Sequence, residues 1–162
     1  MRFRFECPLR WSDMDAFGHV NNARMLTLYE EARVALMFTA ARQRGLDSLE
    51  RGVVIHRHEV DYLLPVRYED PVTIELWVSE LRPSRFTVRY ELLRAGAVAS
   101  RALSVCVPFD LVAGRPRRLA AAEREFLAPW DGLPPSDGLP PLGGLLPSDG
   151  LPPLGGVLPL DG

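Results

Sequence analysis

Hydrophobic side chains recur at every second position in four stretches of this chain and crowd nearly every turn of one longer stretch. A period of two marks a strand with one buried face, whereas spacings of three and four mark a helix. Val72 to Glu80 sets Val72, Ile74, Leu76 and Val78 on one side, and Thr73, Glu75 and Ser79 on the other. Phe86 to Arg94 repeats the pattern with Phe86, Val88, Tyr90 and Leu92. Val53 to Leu64 places His56, His58, Val60 and Tyr62 on one face, and Ala97 to Phe109 places Leu103, Val105, Val107 and Phe109. Arg82-Pro83-Ser84 and Ala95-Gly96 supply turns. Phe3 to Trp11 is a further extended segment.

Ala23 to Arg44 reads as a helix. Asn21 or Asn22 can cap its first N–H groups, and Gly45 ends it. Its apolar residues, among them Met25, Leu28, Tyr29, Leu36, Met37 and Phe38, cover most of its circumference. Such a helix is expected to be wrapped rather than laid on a surface. Leu119 to Leu127 reads as a short closing helix before Pro129. One buried helix and the order β-α-β-β-β-β predict an α+β domain, its antiparallel sheet wrapped around a long central helix.

From Asp131 onward the composition collapses to Leu, Pro, Gly and Asp. Pro-Ser-Asp-Gly-Leu-Pro-Pro-Leu-Gly-Gly occurs at 135–144 and again at 147–156. Proline at this density blocks helix and central strand, and glycine raises the cost of ordering. The domain is therefore expected over 1–130, with a disordered low-complexity tail over 131–162 whose partner is not named by its sequence. The formal charge of −2 owes much to the four tail aspartates. Without them the arginines slightly outnumber the acids, too weak a balance for a nucleic-acid field. Cys7 and Cys106 lie far apart and read as buried small hydrophobes in a reducing compartment. No apolar run approaches the roughly 20 residues that span a bilayer, and a cytoplasmic protein with no membrane partner is expected.

The densest chemistry lies in Arg10-Trp11-Ser12-Asp13-Met14-Asp15-Ala16-Phe17-Gly18-His19-Val20-Asn21-Asn22, directly before the helix. A helix N-terminus presents unpaired N–H groups and a positive dipole end to a developing oxyanion. A carboxylate beside it can attack a carbonyl carbon or draw a proton from water. Asp15 is the candidate, by either route. Asp13 is expected to hold the loop or pair with an arginine. His19 can orient Asp15 or assist a water, or be satisfied by backbone. Gly18 suits a tight turn or a close ligand approach, and Asn21 and Asn22 are caps first. Glu30 and Glu31 are rival carboxylates two turns into the helix; beside Arg33, an ion pair or a polar helix edge is expected. His56 and His58 lack a third ligand at a usual spacing, so no metal is expected.

Asp13-Met14-Asp15, Gly18-His19-Val20-Asn21-Asn22 and Tyr29-Glu30-Glu31-Ala32-Arg33 together resemble the hotdog-fold acyl-CoA thioesterases of the 4-hydroxybenzoyl-CoA thioesterase superfamily, in the branch of long-chain and Tol-Pal-associated enzymes. Val60-Asp61-Tyr62-Leu63-Leu64-Pro65 and Glu69-Asp70-Pro71-Val72 resemble the family's next strands, and the likeness spans residues 3–128. Gly18 to Asn22 also resembles the plant acyl-ACP thioesterases.

The resemblance implies a hotdog fold, a catalytic Asp15, and backbone N–H groups near Asn22 that polarise a thioester carbonyl. It implies hydrolysis of an acyl-CoA to acid and CoA, with coenzyme A as part of the substrate and no other cofactor. It further implies a homodimer or homotetramer with the site completed by two subunits. His19 fills a position used in the acyl-ACP branch, but Phe17 stands where that branch has an asparagine. Met25 replaces a tyrosine common in the first helical turn. These departures favour CoA chemistry. Phe17, Gly18, Val20 and Met25 are expected around the acyl group, and Arg57 and Arg82 near the CoA phosphates. Two rivals remain: a hydratase or dehydratase on the same fold, and a non-catalytic acyl-CoA or acyl-carrier-protein binding module.

Overall fold

The alternating stretches become strands in a computed structural model of the chain, which describes residues 1–50 and 52–132; the repeat tail from 133 lies outside the described residues. The strands are β1 (Phe3–Glu6), β2 (Val53–Tyr62), β3 (Val72–Ser79), β4 (Phe86–Arg94), β5 (Ala97–Asp110) and the short β6 (Arg115–Pro116). They form one antiparallel sheet in the order β1-β3-β4-β5-β2, with β6 on β5. Ala95 and Gly96, at φ 49° and 83°, make the two-residue turn between β4 and β5, whose positive angles match the twist of the paired strands.

The sheet curls around a helix of about 22 residues. It runs as α1 (Asn22–Val34), a π-helical stretch (Ala35–Ala40) and a last turn, α2 (Ala41–Gln43). Leu28, Tyr29, Ala32 and Leu36 join Phe86, Val88, Tyr90 and Leu92 in one buried cluster, with the Tyr29 and Tyr90 rings 4.9 Å apart. Arg24, Glu30, Glu31, Thr39 and Arg42 remain exposed, so the sheet covers one side of the helix and does not wrap most of its circumference.

Two strand phases differ from expectation. In β5 the side chains opposite Tyr90, Val88 and Phe86 are Ala102, Ser104 and Cys106, and these small residues face the helix. Leu103, Val105 and Val107 turn to the outer face instead. The small side chains leave room beneath the helix for the two tyrosines and Arg33. In β2 a bulge between Ile55 and Arg57 breaks the register, so His56 is displaced from the face shared by His58, Val60 and Tyr62. The outer face is covered by long side chains: Arg2 lies 4.4 Å over the Trp77 ring and bridges Glu75 and Glu91. At the β3 edge Asp131 makes a parallel bridge to Val78, and the Gly132 N–H donates to the Val78 carbonyl.

The closing helix α3 (Ala121–Leu127) is held by one buried carboxylate. Glu123 accepts from both terminal nitrogens of Arg117 and from the Ala120 N–H, each at 2.8 Å, and Arg117 also reaches the Ser48 carbonyl. Burial pushes the Glu123 carboxyl up, but Arg117 and the other hydrogen bonds outweigh it and hold the group below its ordinary value. A lowered native pKa means this stabilisation is present above about pH 4.5 and fades as the pH falls further. Arg117→Met should cost about 2–3 kcal/mol at pH 7 by stranding the carboxylate. Urea unfolding at pH 7 and pH 3.5 checks this: the gap to wild type narrows in acid, and an equal gap at both would rule out the ion pair as its source.

Candidate active site at the helix N-terminus

The loop before α1 is built on Asp13. A single 3-10 turn, Trp11–Asp13, buries its carboxylate, which accepts from the Arg10 N–H at 2.8 Å and from the Arg10 guanidinium at 3.1 and 3.3 Å. Burial pushes this carboxyl up, and the Arg10 bonds pull it below its ordinary value. The Asp13 carbonyl takes the Asn21 N–H at 2.9 Å, so the same residue fixes where the helix begins. Asp13 pairs with an arginine and holds the loop, as its position suggested.

Between Asp13 and Asn21 the chain makes a small hairpin, with a bridge between Met14 and Val20 and the Asp15 N–H donating to the His19 carbonyl at 2.8 Å. The Gly18 N–H closes the turn on the Asp15 carbonyl, with Gly18 at φ +74°. Asp15 Oδ1 accepts from the N–H groups of Phe17 (2.8 Å) and His19 (3.4 Å). Its Oδ2 accepts no hydrogen bond among the described residues, which leaves one carboxylate oxygen available on a partly exposed side chain. The return strand of this hairpin leads into the helix. Asn21 is the cap, accepting from Ala23 at 2.9 Å, and Asn22 is the first helical residue. The N–H groups of Asn22 and Arg24 have no acceptor among the described residues. A carboxylate oxygen and helix-end donors thus sit on one short loop-and-turn unit, the parts needed to attack a carbonyl and stabilise the oxyanion.

The other expected residues are distributed less evenly. His19 is half-buried, its backbone engaged with Asp15. Phe17 is 84% exposed at the loop tip, in a surface that also carries an exposed Trp11–Tyr68 edge-to-face pair. Val20 and Met25 are buried in the core cluster. Arg57 lies opposite Val105 on the face turned away from α1 and is ion-paired to Glu59. Arg82 sits in the turn after β3. Tyr62 is level with Ile74 through Ser100 and Leu92, and its hydroxyl donates to the Asn22 carbonyl at 3.3 Å. Roughly 17 Å of strand separates Ile74 from Ser79, at about 3.3 Å per residue. Neither arginine lies beside Asp15 within the chain.

Both thiols are inert by burial, which pushes Cys7 up to about 11 and Cys106 up to about 12. Among the described residues no group of three His, Cys, Asp or Glu side chains is placed to hold a metal ion. Among them, too, no helix is long and apolar enough to cross a membrane.

Sequence reasoning did not find one cluster. Arg33, buried under α1, donates to the Tyr90 hydroxyl at 3.0 Å; nearby Ser104 Oγ is 2.9 Å from His58 Nδ1. Burial and the Arg33 charge lower the His58 pKa. The Glu30-Arg33 pair was legible in the helix, but its neighbours come from three strands.

Residues 9–130 match the profile of the thioesterase-like superfamily. The chain belongs to that superfamily. It is a thioester hydrolase, as the names of its relatives support. This thioesterase is similar to the acyl-CoA thioesterase YbgC of Haemophilus influenzae, at 27% identity over 111 residues, covering 67% of this chain and 82% of that protein. Its fold is similar to a predicted thioesterase from Bacillus stearothermophilus, with a TM-score of 0.72 and 26% identity over 83% of this chain and 99% of the other. A thioesterase from Thermus thermophilus, solved in complex with coenzyme A and Zn, is 31% identical with a TM-score of 0.65, covering 82% of this chain and 95% of that one.

The turn at Gly18 makes a direct test of the loop. A Cβ there meets nothing within 4 Å, so Gly18→Ala adds backbone strain without a clash. The expected cost is about 1–2 kcal/mol, read as a fall of about 3–6 °C in melting temperature. An unchanged melting temperature would show that the loop does not need this turn.

Proposed function

We propose that this thioesterase hydrolyses acyl-CoA thioesters to a carboxylic acid and CoA, with Asp15 as its carboxylate and the first N–H groups of α1 as its oxyanion donors. The observation that carries this reading is Asp15 itself: two backbone N–H groups orient one oxygen and leave the other open, on a hairpin that runs into the start of the helix. In the nucleophilic route Asp15 attacks the thioester carbon, the C–S bond breaks as the thiolate leaves and takes a proton, and water cleaves the resulting anhydride. In the general-base route Asp15 takes a proton from water and the hydroxide attacks, with the same C–S bond breaking. The N–H groups of Asn22 and Arg24 favour the negative oxygen in both. His19, adjoining the carboxylate, assists the water.

Support for coenzyme A as the carrier comes from the relatives: one is named an acyl-CoA thioesterase and another binds coenzyme A. Phe17 in place of asparagine and Met25 in place of tyrosine favour the same carrier, in the long-chain and Tol-Pal-associated branch of hotdog enzymes. We place the working enzyme as a homodimer or a tetramer of dimers. β2 is bonded by β5 on one side only and offers the edge along which two sheets join. Pairing there brings a second subunit against the flank of α1, where Phe17 and the partner's residues can complete the substrate site.

Release of free CoA thiol from short, long and aromatic acyl-CoAs, measured for wild type and Asp15→Asn, tests the proposal. Loss of the carboxylate should lower kcat/KM by about 10²-fold or more. Activity that survives would transfer the role to Glu30 or Glu31. Binding without hydrolysis by the wild type would favour the binding-module reading.

A further inference from the structure

Between α1 and the edge strand β2 lies a cavity of about 110 Å³ that the proposed chemistry at Asp15 does not use. Its walls are Val34, Met37, Phe38 and Ile55, with Glu30 and Arg33 as the polar part. The π-helical stretch Ala35–Ala40 runs along it, a distortion frequent at functional sites. Arg33 is only 8% exposed, yet among the described residues its guanidinium donates one hydrogen bond, to the Tyr90 hydroxyl. Its other contact is Glu30 Oε1 at 3.6 Å, an ion pair too long to be a hydrogen bond. The Glu30 side chain is 63% exposed and can turn into water. A guanidinium has five donors in a planar fork, and the Arg33 nitrogens that do not meet Tyr90 are not sealed from solvent and stay open to an acceptor. A carboxylate satisfies two of them at once.

Asn22, Leu26, Glu30 and Val34 are four residues apart and share one face of α1, which runs from the helix N-terminus to this cavity. Tyr62, held to the Asn22 carbonyl, and then Val60 and Ile55 stand on the inner face of β2 alongside it. About 16 Å of helix axis separates Asn22 from Arg33, the length of an acyl chain of roughly a dozen carbons.

We infer that this cavity receives a carboxylate at the far end of the acyl group, held by Arg33, with Glu30 as the carboxylate it displaces. The preferred substrates are ω-carboxyacyl thioesters. This rests on the acyl-CoA reading above and names the substrate class of that site.

The test compares kcat/KM for ω-carboxyacyl-CoAs and simple acyl-CoAs of equal length, from six to fourteen carbons, on the full chain. Calorimetric binding of the matching non-hydrolysable thioethers of CoA is measured in parallel. The ω-carboxy series should be preferred about tenfold or more at the best length, and Arg33→Gln should abolish that preference. Glu30→Gln, an exposed change that leaves the core untouched, should raise it several-fold by removing the competing charge. That variant decides the matter if Arg33→Gln does not fold. Hydrolysis with no ω-carboxy preference at any length, or a preference that Glu30→Gln does not raise, overturns this inference and leaves the thioesterase reading standing. Preferential thioether binding without hydrolysis supports the cavity and overturns the reading. Neither binding nor hydrolysis overturns both.

Discussion

A buried aspartate with a single arginine partner determines where everything else at this site stands. Asp13 is out of contact with water, its carboxylate held by the backbone and guanidinium of Arg10 and its carbonyl by the Asn21 N–H. Burying such a charge is tolerable only because its hydrogen bonds are met. Once they are, the eight residues that follow have little choice. They must leave and return within one short hairpin, with Asp15 at one side and the helix cap at the other. The placement of Asp15 and of the helix start is therefore inherited from Asp13.

Carboxylates recur in this molecule in three distinct settings. Asp13 and Glu123 are buried, fully paired with arginines, and hold segments in place. Asp15 is half-open and oriented through one oxygen only. Glu30 is mostly in water, within reach of a buried cation that it only partly satisfies. The difference among the three lies in how many lone pairs the protein itself occupies, not in residue type.

The parts legible in the sequence were those with local causes. β3 and β4 have a strict apolar alternation because both of their faces contrast sharply, and the structure keeps that phase. Asn21 as cap and Gly18 as turn follow from backbone geometry that needs no distant partner. β5 was misread in phase because Ala102, Ser104 and Cys106 are less hydrophobic than Leu103, Val105 and Val107, yet face the helix where space is shortest. The bulge at His56 has no signature in the residues around it. Arg33, Tyr90, Ser104 and His58 meet only after the sheet has formed, so their cluster was invisible before folding, while Arg57 and Arg82 proved to be on other parts of the surface.

The two margins of the sheet are finished differently. On one side β1 is four residues long and carries the charged Arg4 and Glu6, and beyond it Asp131 and Gly132 lie along Val78. On the other, β2 keeps a ten-residue margin with a break in its register. A sheet with two open margins can add copies without limit, as a polymer grows from a bifunctional monomer. Among the described strands only β2 keeps a long margin, so a copy joined to it would present its blunted margin outward. Such a margin acts as a chain terminator: pairing through β2 would give a closed particle rather than a fibre.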